Sequence, residues 1–243
     1  MPLRPRHGRM TQDRREFVGT LLAAGMLPAL GGQADRRSGG RTDAIELSGS
    51  PPVRPSDSQW DLSWTARLTG PHRAAFDWFQ PNASAGLWRA GIWKQQVVEA
   101  FGVKPEEVGA VLVIRHGAIP MIMGDEFWMR HKLGKLRKIK HPETGKTAER
   151  NPFRAAAKQP APEPDSSIEG FLRSGGIVLA CGFAFGFMVS LESKLVGKPA
   201  SDVRPGVLLQ VIPGILIQPS GFFALIEAQR NGCGLFPAEA VTE

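Results

Sequence analysis

Two short runs, VGAVLVIRHG at 108–117 and GIVLAC at 176–181, stay apolar for five or more consecutive positions before a reactive side chain appears. A strand with one wet face alternates apolar and polar residues, and these runs do not alternate, so each must be covered on both sides. Covering both faces of a sheet takes helices, and crossover helices make neighbouring strands parallel. The rest of the chain supplies them. Leu87, Ile92, Val97, Val98 and Phe101 recur at helical spacing, and Gly102 follows as a stop. Further helices are predicted at 125–132, 167–176, 184–195 and 221–231, and further strands at 72–78, 214–219 and 233–237. The expected fold is α/β: a three-layer sandwich with a roughly five-stranded, mostly parallel sheet, right-handed crossovers and helices on both faces.

Charge and composition sort the remaining segments. The formal charge is +7, but residues 1–34 hold five arginines against Asp13 and Glu16, or +3 of that total. The remainder, about +4, is ordinary for a domain and makes nucleic-acid binding an unfavoured reading. The start of the chain, TQDRREFVGTLLAAGMLPALGGQAD, pairs Arg14 with Arg15, places Phe17 two residues later and continues uncharged to Ala34. This pattern resembles a twin-arginine export signal, with Asp13 and Gly19 departing from the usual form. It implies a periplasmic protein, cleaved or signal-anchored, with 1–34 set apart from the fold. Residues 35–69 read as a linker and docking segment in which Trp60 and Trp64 fasten the chain to the domain at 70–243. Polar and proline residues interrupt the longest later apolar stretch, 207–226, so no stable membrane span is expected there.

Within the domain, the segment 130–165 stands out as a basic insertion. Residues 130–150 carry eight Lys or Arg with His131 and His141, against Glu143 and Glu149, and a proline-rich stretch follows. Read blandly, it is a solvated loop; read for function, it is a flap that recruits an anionic ligand or partner.

Ligands of open parallel sheets sit beyond the carboxyl ends of the strands. Asp77, His116 and Cys181 fall at three such ends, and Gly117 and Gly182 follow two of them. A cysteine at that place lies near the start of a helix, whose partial positive charge suits a sulfur nucleophile. Phe183, Phe185 and Met188 are expected to floor the crevice and Trp60 and Trp64 to cover it. Cys233 opens its strand where Cys181 closes one, so the two lie roughly 15 Å apart along the sheet, beyond the ~7 Å Cα separation of a disulfide. The sequence contains no Cys-x-x-Cys pair, glycine-rich phosphate loop, nucleophile elbow or paired metal-ligand spacing, and it names no cofactor.

Taken together, VLVIRHG, FLRSGGIVLACGFAF (171–185) and VIPGILIQPSGFFALIEAQRNGCGLF (211–236) resemble the DsrE/DsrF-like superfamily over roughly residues 70–237. The resemblance implies a five-stranded α/β sandwich that assembles as homo-oligomers. In its sulfur-relay members a cysteine at the strand end carries a persulfide received from a sulfur donor, and Cys181 and His116 stand at the matching positions. Two functions follow as expectations: binding of a small ligand or partner at the carboxyl edge, or sulfur transfer through Cys181.

Overall fold

The computed structural model describes residues 60–81, 85–155 and 167–237. The twin-arginine pattern at Arg14, Arg15 and Phe17, the linker up to 59 and the proline-rich end of the insertion lie outside the described residues. The chain order is β1 (His72–Trp78), α1 (Ala85–Phe101), β2 (Val108–Ile114), α2 (Asp125–His131), α3 (Leu133–Leu136), α4 (Ile168–Arg173), β3 (Ile177–Cys181), α5 (Gly182–Val196), α6 (Ala200–Leu208), β4 (Leu216–Gln218), α7 (Gly221–Arg230) and β5 (Gly234–Pro237). The strands form one all-parallel sheet in the order β4-β3-β2-β1-β5.

The double-sided burial of β2 and β3 separates into two cores. Ala110, Leu112, Ile114, Val178 and Ala180 face α1, α4 and α5 through Leu87, Phe171 and Phe185. Val111, Val113, Ile177 and Leu179 face the other way, onto Ala224, Leu225 and Ala228 of α7 and onto Trp64. Each fully buried aliphatic side chain is worth about 1.5–3 kcal/mol, so the central strands anchor the fold from both sides.

Strand order explains the two faces. From β1 to β4 the chain steps steadily toward one edge, and the connecting helices cover one face. It must then return to β5 at the far edge, and a crossover of unchanged hand puts α7 on the opposite face, across all five strands.

Several expectations change. β2 stops at Ile114, before the predicted His116-Gly117 end, because His116 turns to φ 50° and a 3-10 turn, His116–Ile122, buried from Gly117 onward, takes over. The basic segment is solvated along its charges, its eight Lys and Arg residues all being exposed, but it is anchored as well: Leu133, Ile139, Ala148 and Phe153 sink into the main core, and Asn151 Nδ2 donates to the Met121 and Met123 carbonyls at 2.7 and 2.9 Å. The helix α6 leaves no apolar period in the sequence, since Pro205 inside it masks the pattern. Trp64 does dock the 60–69 segment, but as a fully buried core residue under the α7 face rather than as a cover for a crevice. Among the described residues no helix is long and apolar enough to cross a membrane.

Candidate functional site

β3 and β4 are neighbours, yet the helix after β3 leaves toward one face of the sheet and the helix after β4 toward the other. Such a reversal opens a crevice between adjacent strand ends. A cavity of about 630 Å³ occupies it. Cys181, His116, Arg115 and Arg137 border it with polar groups; Phe183, Phe187 and Phe222 supply aromatic walls, and the Pro219–Gly221 turn closes one side.

Cys181 is the last residue of β3 and caps α5, its Sγ accepting the Ala184 amide at 3.4 Å. It is 7% exposed, which leaves the sulfur against the cavity rather than on the outer surface. His116 opens the turn that follows the adjacent strand β2 and is exposed. Its left-handed backbone costs a non-glycine residue roughly 1 kcal/mol, and that turn carries the ring to the cavity border.

Arg115, not singled out from the sequence, organises the wall. Its Nε and Nη2 donate to Asp77 Oδ1 and Oδ2 at 2.7 and 2.6 Å. Its guanidinium lies 5.0 Å from the ring centres of both Phe79 and Phe222. The Asp77 hydrogen bond raises the Arg115 pKa; burial opposes this, and the charges of Asp77 and Cys181 reinforce it. Asp77 therefore reaches the site only through Arg115 and is not a wall of the cavity.

The two glycines act by close approach. A Cβ on Gly117 would lie 2.6 Å from Gln80 Oε1, and one on Gly182 would lie 2.6 Å from the Gln218 carbonyl oxygen. Neither lines the cavity. Of the expected floor, Phe183 borders the cavity, whereas Phe185 and Met188 are fully buried in the main core. Helical spacing explains the split, since positions two and five residues after Phe183 turn to the opposite side of α5.

The start of α7 repeats the logic of α5. Ser220 Oγ accepts the Phe223 amide at 3.1 Å, and the helix begins at Gly221 beside the cavity. The Gln-Pro-Ser-Gly sequence after a strand could have disclosed this. Arg137 could not have been found that way, because it belongs to the basic segment and reaches the site only through the packing of α3. At the far edge of the sheet Cys233 is a free, buried thiol whose pKa burial pushes up to about 11. Cys181 is likewise free.

No family model matches the chain, and a search of curated proteins finds no match. The DsrE/DsrF-like resemblance rests on the motifs at 108–117, 171–185 and 211–236.

Proposed function

We propose that this protein is an exported DsrE-like binding protein that holds a small molecule at the carboxyl edge of its sheet, with Cys181 presented to the ligand. One observation carries the reading: Cys181, the end of β3, and His116, in the turn after the neighbouring β2, border the same cavity where the helices change face. Its volume suits a metabolite-sized molecule. Export rests on Arg14, Arg15 and Phe17, and assembly into homo-oligomers rests on the resemblance. The folded protein is treated with iodoacetamide and the adducts are located by peptide mass. Cys181 labels, and Cys233 labels far more slowly because burial keeps it protonated. Equally slow labelling of both would overturn the reading.

A second reading, sulfur transfer, is favoured by Cys181 capping α5, where the Ala184 amide reaches its sulfur. The Cys181 thiolate would attack the outer sulfur of a persulfide donor, R–S–SH. The S–S bond of the donor breaks, R–S⁻ leaves with the electron pair, and Cys181 keeps the transferred sulfur as Cys–S–SH. A gain of one sulfur atom in mass at Cys181, abolished in Cys181→Ser, supports transfer. Ligand binding that survives Cys181→Ser without any such gain supports binding alone.

A further inference from the structure

Resting on the reading of this cavity as a ligand site, we propose that its ligand is an organic anion with an apolar body, the anionic group held by Arg137 and the body lying among Phe183, Phe187 and Phe222. The charge balance argues for the anion. Among the described residues no carboxylate borders the cavity, while two arginines do. Asp77 already neutralises Arg115, so the unmatched charge is that of Arg137. Arg137 makes no ion pair among the described residues, and its guanidinium is stationed over the Phe187 ring at 5.2 Å. The helices α5 and α7, of 15 and 10 residues, both begin at the cavity and add their positive ends to the same side of the balance.

The walls argue for the apolar body. Phe183 is 86% exposed and Phe222 66% exposed, although both sit at the rim of a cavity that could shelter them. An inorganic anion would satisfy Arg137 and leave these rings in water. A neutral hydrophobe would cover the rings and bury Arg137 without a counter-charge, which is costly. Only a molecule with both parts satisfies both sets of groups. An arginine poised on an aromatic ring also presents a flat donor face, which suits a carboxylate or sulfonate.

The test uses three probes: anilinonaphthalene sulfonate, phenylnaphthylamine (the same rings without the sulfonate) and sodium sulfate. Binding is read by fluorescence for the first two, and for all three by protection of Cys181 from iodoacetamide. The sulfonate should bind about tenfold or more tightly than the amine, the advantage expected of one charge-assisted contact. Arg137→Ala should remove that advantage and leave amine binding unchanged, whereas Phe222→Ala should weaken both dyes. Both residues are exposed, and an unchanged thermal melt establishes that the variants fold. An amine that binds and protects as well as the sulfonate, or sulfate that protects at equal concentration, overturns the ligand class and leaves the cavity reading standing. If no probe protects Cys181 while it alkylates freely, the ligand class falls alone; if Cys181 alkylates no faster than Cys233, both proposals fall together.

Discussion

Arg115 shows how much one side chain can settle. It follows directly on β2, receives a bidentate carboxylate and fills the space between two phenylalanine rings, so the wall beside Cys181 has one arrangement. The Arg115 and Asp77 side chains are only 19% and 16% exposed, so water replaces a lost partner poorly. Asp77→Asn should therefore lower stability by about 1–3 kcal/mol in urea unfolding and change the alkylation rate of Cys181, as the guanidinium loses its anchor. A variant identical to the wild type in both would show that the pair is incidental. Cys233 makes a different prediction. Its thiol is neutral in folded and unfolded chains below its ordinary 9.0, and only the unfolded chain ionises between there and about 11. The folded state then holds more protons, so stability falls across that window, by about 2–3 kcal/mol at most. Lys94, whose pKa burial lowers, works the other way, because its unfolded form keeps a proton that the folded form gives up. Cys233→Ala isolates the cysteine contribution and should flatten the alkaline fall in melting temperature. An unchanged pH profile in that variant would refute the assignment.

At the scale of elements, the site depends on how closely α7 begins against β2. A Cβ on Gly221 would lie 2.5 Å from Arg115 Cδ and 2.8 Å from its Cβ, so the helix start and the arginine share space that only glycine leaves open. Gly221→Ala should displace Arg115 and cost about 1–3 kcal/mol, the usual penalty of overpacking. It should also accelerate Cys181 labelling, because the displaced side chain opens the wall. Ser220→Ala serves as the control. It removes the cap of the same helix at about 1 kcal/mol without touching Arg115, so labelling should not change. Equal labelling in both variants would contradict the packing argument. The basic segment teaches the opposite lesson about reading elements from sequence. Leu133, Ile139, Ala148 and Phe153 are buried, but six, nine and five residues separate them, a spacing that matches neither a helix nor a strand. Charge was visible there and packing was not, because the anchors act through loops and through Asn151.

For the whole molecule, the continuous apolar runs carried most of the fold: they required burial on both faces and hence a parallel sheet with helices on each side. They could not disclose strand order, and strand order decides where the helices change face. That is why Cys181, at a strand end, and His116, two residues past one, were legible as neighbours of the crevice, while Arg137, 44 residues before Cys181, joined them only in three dimensions. The same limit applies to the boundary of the folded unit. A reading from the first strand places the start at about residue 70, yet Trp64 and Leu68 are buried in the second core and Gln218 Nε2 donates to the Asp61 carbonyl at 2.8 Å. Residues Arg54–Glu243 form a compact unit. A chain shortened to that range should melt cooperatively at the temperature of the full chain. One that begins at Gly70 loses the Trp64 side chain from beneath α7, a deletion worth about 3–5 kcal/mol for a buried tryptophan. Against a total of about 5–15 kcal/mol, that loss should broaden the calorimetric transition or abolish it. If the chain starting at Gly70 melted as sharply and as high as the one starting at Arg54, the 60–69 segment would be an ornament on the surface rather than part of the second core.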